Sequence, residues 1–294
     1  MNCVDSARST IERRKLLMKK IIALLMAALL VFAFAGCTDT KVDEESSTNE
    51  ALEDSSVATA SDLEYVKSKG TLVVGITDFA PMDYEDENGN WVGFDADMAT
   101  AFAKSLGVEV QFVEINWKNK VMELDGKNID VVWNGMTLTD EVKSAMSCSN
   151  AYCNNAQVVI VKAEDASKYV TADDCKELNF AVETGSAGKD MAAANNFKYT
   201  EVKDQATALS EVKAGTSDAA IIDSLMAAAM VGEGTGFEDL TYTVKLNSEE
   251  YGVGFRKGSD LVDKLNDFFK ASYADGSMQK IAETYGVQAA LIEQ

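Results

Sequence analysis

Residues 130–143 read DVVWNGMTLTDEVK. An apolar run from Ile129 to Trp133 breaks at Asn134-Gly135-Met136-Thr137, and a helix-like stretch follows. A core reading accounts for Val131, Val132 and Trp133. It leaves the polar corner without a purpose: the backbone of 134–137 is expected to be exposed, with the hydroxyls of Thr137 and Thr139 beside it. A short buried strand that passes through such a corner into a helix is the signature of alternating strand–helix units and a parallel sheet. Ligands in such sheets sit beyond the carboxyl ends of the strands, which makes the corner a candidate binding loop, with Thr139 as the cap of the next helix.

Working outward, Leu72 to Ile76 is a second strand, ending in the loop Thr77-Asp78-Phe79-Ala80-Pro81. Asp95 is placed to cap a helix through Ser105, with Gly107 as its stop. Val108 to Val113 alternates as a strand, and Trp117 to about Leu124 reads as a helix leading through Gly126 to the opening strand. The alternation restarts at Leu178 to Val182, followed by the loop Glu183-Thr184-Gly185-Ser186-Ala187-Gly188 and a helix to about Asn195. A helix from Ala206 to Lys213 then precedes the strand Ala219 to Ile222, which ends in Asp223. The pattern predicts an α/β chain of two lobes with facing loops.

Composition narrows the chemistry. The chain has no histidine, which removes Ser-His-Asp, Cys-His and His-ligated zinc mechanisms. Cys148, Cys153 and Cys175 match no CxxC or metal-knuckle spacing; they read as buried thiols, with a Cys148–Cys153 disulfide as the other option. No cofactor or metal is expected. Met18 to Cys37, MKKIIALLMAALLVFAFAGC, has a basic start, a short apolar run and small residues before a cysteine, as a secretory signal peptide does. Translation is expected to start at Met18, with 1–17 a spurious extension of the signal at 1–36. Residues 37–60 are rich in Ser, Thr, Asp and Glu and read as a flexible tether. Removing residues 1–36 takes six basic and two acidic side chains from 27 and 48, leaving 21 against 46, a net charge of −25. Nucleic acid is therefore excluded as a partner, while a solvated acidic surface remains the plain reading of that charge.

The ordered blocks VGITDFAPMDY, WVGFDADMATAFAKSLGV, GKNIDVVWNGMTLTDEVK, AVETGSAG, SDAAIIDS and YGVGFRKGSDLVDKLNDFFKASYADGSMQKI resemble bacterial polar amino-acid-binding proteins, the family 3 extracellular receptors of ABC importers. The resemblance implies a two-lobed, periplasmic-binding-protein-like fold of type II, each lobe a mixed sheet flanked by helices. Lobe 1 would comprise 61–152 and 249–294 and lobe 2 would comprise 157–245, with a hinge at 153–156 and 246–248. It also implies no catalysis, an amino acid or other small amine-containing ligand, permease subunits as partners, and a lipid on Cys37 that anchors the chain to the outer face of the membrane. Phe34-Ala35-Gly36-Cys37 resembles a lipobox, with Phe where Leu is usual.

By the same resemblance, Phe79 and Trp117 sandwich the ligand side chain. Asn134, Gly135, Met136 and Thr137 form the first-lobe corner that meets its main-chain groups. Ser186 and Ala187 present a helix start to its anionic group, and Asp223 takes its ammonium. Glu183 lies where some relatives contact the side chain, and either Thr77 or Asp78 takes the place of a usual aspartate. Taken singly, Phe79 and Trp117 also read as core, Asp223 as a helix cap and Glu183 as a surface charge; Trp133 reads as core or pocket floor. The family's carboxylate-gripping arginine is replaced by Val142, and Lys143 points elsewhere on a helix. The cleft is therefore expected to prefer cations. The competing class is an extracellular dehydratase-like enzyme, with Glu183 as its acid.

Overall fold

The computed structural model describes residues 61–294; the signal segment, Cys37 and the tether expected at 1–60 lie outside the described residues. Two sheets organise the chain. The first is built from β1 (Thr71–Ile76), β4 (Glu109–Glu114), β5 (Val131–Thr137), β6 (Ser147–Cys148), β7 (Cys153–Asn155) and β13 (Glu249–Phe255), in the order β4-β1-β5-β13-β6, with β7 also on β13. The second has the order β10-β9-β11-β8-β12, from β8 (Gln157–Lys162), β9 (Asn179–Glu183), β10 (Lys198–Val202), β11 (Ala219–Asp223) and β12 (Leu240–Lys245). A small hairpin pairs β2 (Tyr84–Glu85) with β3 (Trp91–Val92).

In each sheet three strands are parallel, β4-β1-β5 and β10-β9-β11, as the strand–helix alternation requires. An antiparallel strand then follows in each, β13 beside β5 and β8 beside β11. The chain crosses between the sheets twice, at Ala156 and at 246–248. The first crossing is narrower than the expected 153–156, because Cys153–Asn155 pairs with Tyr251–Glu249 as part of the first sheet.

Several elements sit differently from their sequence reading. The 134–137 corner is strand, not loop: β5 continues to Thr137, paired with Gly252 and Tyr251 of β13, and residues 131–136 are buried. A register shift between Gly252 and Gly254 accompanies the corner, where Gly135 takes φ +51°. Asp95 is not a cap. The helix at Phe94–Leu106 starts at Gly93 with no side-chain cap bond, while the fully buried Asp95 carboxylate accepts hydrogen bonds from Gly135 N–H (2.6 Å) and Tyr152 Oη (2.7 Å). The stretch after Trp117 divides into a 3-10 turn at Trp117–Asn119 and an α-helix at Lys120–Asp125. Trp133 is core, fully buried against Phe102 and Phe269. Cys148, Cys153 and Cys175 are all free thiols.

Arg256, the only arginine after Arg14, is buried away from the corner. It pairs with Asp62 and Asp130 and donates to the carbonyls of Leu124 (3.2 Å) and Ile129 (2.8 Å), locking the helix Asp62–Lys69 onto the first sheet. The helix at Asp140–Ala145 is capped by Thr139, whose hydroxyl accepts from Val142 N–H at 3.1 Å. Thr139→Ala leaves that N–H without its partner and is expected to cost about 1 kcal/mol of unfolding free energy, measured by urea denaturation.

Candidate functional site

A cavity of about 330 Å³ opens between the two sheets. Phe79 stands beyond the end of β1, and Trp117 opens the 3-10 turn after β4; both rings are buried and both line the cavity. Asn134, Gly135, Met136 and Thr137 face it from the end of β5. The second sheet contributes Glu183 from the end of β9, Ser186 and Ala187 at the start of the helix Ala187–Ala194, and Asp223 from the end of β11. Ten of the eleven residues proposed for the site thus share one cavity. Asp78 does not: the chain alternates as it leaves β1, so that Thr77 and Phe79 turn inward and Asp78 turns to solvent.

Many of these side chains are already engaged. Asn134 accepts from Thr77 N–H (3.1 Å) and Thr77 Oγ1 (2.8 Å) and donates to Thr77 O (3.0 Å) and Asp83 Oδ2 (2.8 Å), bracing the ends of β1 and β5. Gly135 N–H is held by Asp95, and a Cβ there would lie 2.3 Å from Phe79 Cε1, so the glycine makes room for the aromatic ring. Thr137 Oγ1 donates to Glu249 Oε1 at 2.9 Å. Ser186 caps its helix by accepting from Lys189 N–H at 3.2 Å, while Ala187 N–H and Gly188 N–H have no acceptor among the described residues. Such free helix-start groups attract anions.

Asp223 sits at the cap position of the helix Ser224–Met230 yet makes no cap bond. Its carboxylate instead accepts from Asn155 Nδ2, Gln205 Nε2, Gln157 Nε2 (3.0 Å) and Tyr251 Oη (2.7 Å). Asn155 and Gln157 also donate to Glu249 Oε1, at 2.7 and 2.8 Å, so one pair of amides holds two carboxylates. Burial pushes Asp223 up to about 7, with Glu249 adding to it. Glu183 is 3% exposed, and its Oε1 has no hydrogen-bond partner. Burial pushes its carboxyl up to about 8, with Asp223 and Asp204 adding and Lys120 opposing.

A match to the family model for bacterial extracellular solute-binding proteins, family 3, covers residues 72–288. The chain belongs to that family. Its relatives include the L-cystine-binding protein TcyJ of Escherichia coli (strain K12), 31% identical over 76% of this chain and 85% of the relative. A Streptococcus pneumoniae ABC uptake transporter substrate-binding protein, solved with bound histidine, superposes with a TM-score of 0.72 at 31% identity, covering 79% of this chain and 98% of that one. The ancestral amino acid-binding protein AncCDT-1, a precursor of cyclohexadienyl dehydratase, gives 0.72 at 31% identity over 76% and 99%.

In this family 3 chain, Val142 is buried and forms part of an apolar cavity wall with Val121, Met136 and Ala145, so no cation occupies its position. Lys143 is exposed and outside the cavity. Sequence reasoning missed Lys120, Gly185 and Gln205. Gln205 braces Asp223, accepting from its N–H at 2.9 Å. Lys120 donates to Trp117 O (3.3 Å) in its own lobe and to Gly185 O (3.2 Å) in the other, and its ammonium lies 4.8 Å from the Trp117 ring centroid. A lysine four residues before Leu124, in a stretch otherwise read by its apolar periodicity, gives no sequence signal for such a reach.

Gly185, at φ +75°, sets how closely the facing loops approach: a Cβ there would lie 2.9 Å from Lys118 Cα. Gly185→Ala is expected to hold the loops apart and abolish any ligand-induced compaction in small-angle scattering, with a backbone cost of about 1–2 kcal/mol in the ligand-free melt. The acids carry a second expectation. A carboxyl whose pKa is raised on folding stabilises the fold fully below its unfolded value, and that contribution is lost as pH rises through the folded value. For Glu183 the loss runs from its ordinary 4.5 to about 8, and for Asp223 from 3.8 to about 7. Buried Asp83 and Asp95 act in the same sense. The ligand-free protein should melt lower at pH 8.5 than at pH 5.5, and Glu183→Gln should reduce that difference in a calorimetric pH series.

Proposed function

We propose that this protein is the extracytoplasmic receptor of an ABC importer, held to the outer face of the membrane by a lipid on Cys37. It captures an amino acid or related small amine-containing solute between its lobes and delivers it to permease subunits. The observation that carries this reading is the convergence, from two separate sheets, of an aromatic pair and a carboxylate on one small cavity: Phe79 and Trp117 from one side, Asp223 from the other. Its volume of about 330 Å³ is at the lower end of small-molecule pockets. Family membership supports the same reading, as do relatives named for binding cystine and histidine.

In this reading Phe79 and Trp117 flank the solute, Asp223 takes its ammonium, and the helix start at Ser186-Ala187 favours its anionic group. Closure needs a solute that binds the closed arrangement better than the open one, which a molecule touching both lobes supplies. The crossings at Ala156 and 246–248 act as the hinge.

A panel of amino acids and polyamines, screened by thermal shift on the fragment from Ser61, should give a stabilised melt with at least one amine-bearing compound; at ~100 times Kd the gain is about 2.7 kcal/mol. Asp223→Asn, which keeps the side chain's shape, should weaken that compound at least about 30-fold, from the roughly 2–5 kcal/mol cost of removing one partner of a buried charge pair. No shift from any compound, or full affinity in the variant, defeats the reading. The buried Glu183, its carboxyl pushed up to about 8 by burial and its Oε1 without a hydrogen-bond partner, is what a dehydratase-like enzyme would use as an acid, and AncCDT-1 stands in the ancestry of one. Nuclear magnetic resonance of the incubated solute separates the two: it is recovered unchanged by a receptor and consumed by an enzyme.

A further inference from the structure

We propose that Lys120 is the counter-cation for a carboxylate on the solute, taking over at the seam between the lobes the charge that Val142 does not provide, so that the solute is a zwitterionic amino acid rather than a bare amine. This rests on the receptor reading and deepens it.

Three lysines line the cavity. Lys118 is exposed, and Lys189 lies 3.8 Å from Glu201. Lys120 is half-buried, and among the described residues it forms no ion pair. Its ammonium donates to two neutral carbonyls and, among the described residues, has no third acceptor. Burial pulls its pKa down, while Glu183, Glu141 and Asp190 pull it up. A half-buried cation whose hydrogen bonds go only to neutral carbonyls gains from a directly bonded anion, because a charge-assisted bond is roughly twice as strong as a neutral one.

The position suits an anion for a second reason. Gly185, whose carbonyl Lys120 reaches, immediately precedes Ser186, so the ammonium lies beside the helix start where Ala187 and Gly188 N–H have no acceptor among the described residues. A carboxylate has two oxygens and can use both kinds of donor. Glu183 does not cancel the arrangement, since a carboxyl raised to about 8 is mostly neutral at pH 7. Asp223, in the same cavity, is left to the ammonium of the same molecule.

The test is titration calorimetry of wild type, Lys120→Met and Lys120→Arg against L-lysine, L-arginine, L-histidine and L-glutamine, and against the same molecules without the carboxylate: cadaverine, agmatine, histamine and 4-aminobutanamide. Thermal melts establish that each variant is folded. Wild type should bind at least one amino acid and bind its amine much more weakly. Lys120→Met should lose roughly 10- to 100-fold toward the amino acid and change little toward the amine, while Lys120→Arg restores most of the loss. Equal losses toward amino acid and amine would reduce Lys120 to a clamp between lobes and overturn the proposal. So would unchanged amino-acid affinity in Lys120→Met, or wild type binding an amine as tightly as its amino acid; in each case the receptor reading stands. If wild type binds neither these sets nor any compound of the wider panel, that reading fails and this proposal fails with it.

Discussion

Asp223 and Glu249 share the amide hydrogens of Asn155 and Gln157 where the chain passes from one sheet to the other. Two carboxylates so close together are tolerated only with several donors or with a proton or cation in attendance, since burying uncompensated charge is costly. The donors come from both sides of the crossing: Asn155 and Tyr251 belong to the first sheet, Gln157 and Gln205 to the second lobe. The cluster therefore couples the placement of the two sheets to the charge at the cavity wall. It also explains why Asp223, at the head of a helix, is not spent on capping it.

Around that cluster, the first sheet acts as a braced frame. Asn134 ties the ends of β1 and β5, and Asp95 reaches beneath them to Gly135 N–H and to Tyr152. Arg256 anchors the helix Asp62–Lys69 to the far end of the same sheet. Phe79 is thereby held against Gly135, where no side chain larger than hydrogen fits. Residues that line a cavity thus divide into those that build its wall and those with bonding capacity to spare. Asn134 and Gly135 N–H are of the first kind; Glu183, Lys120 and the helix start of the second lobe, whose first N–H groups have no acceptor among the described residues, are of the second, while Asp223 is braced by four donors.

Contacts between the lobes have a different character. Lys120 meets the Gly185 carbonyl, Lys203 meets Glu114, and the Gly185 backbone approaches Lys118. Away from the crossing these contacts are polar and partly exposed, whereas the sheets are held together by apolar clusters of Val, Ile, Leu and Phe. Exposed ion pairs are weak, so such a seam separates at low cost while the sheets stay intact. In the receptor reading, a solute in the seam would shift the balance between open and closed arrangements by its differential contacts.

Much of this was legible in the chain. Apolar runs at 72–76, 129–133, 178–182 and 219–222, each ending in a polar or glycine-bearing loop, determined the strands, their parallel pairing and the end of the sheet where the cavity lies, because burial on both faces leaves a continuous hydrophobic signature. The ordered blocks also carried Phe79, Trp117, Ser186 and Asp223 to one site. Tertiary structure decided the rest. That 134–137 is strand follows from β13, more than a hundred residues away, supplying its partner. That Asp95 supports Gly135 instead of capping a helix, and that Asp78 faces solvent while Glu183 is buried, follows from packing that no local pattern encodes. Lys120 is the clearest case: in sequence it is one lysine among many, and only the approach of Gly185 from the other lobe brings its charge to the cavity. Local sequence determines which way the backbone runs, but the partner of a long, flexible, charged side chain is set by whatever the fold brings within reach of it.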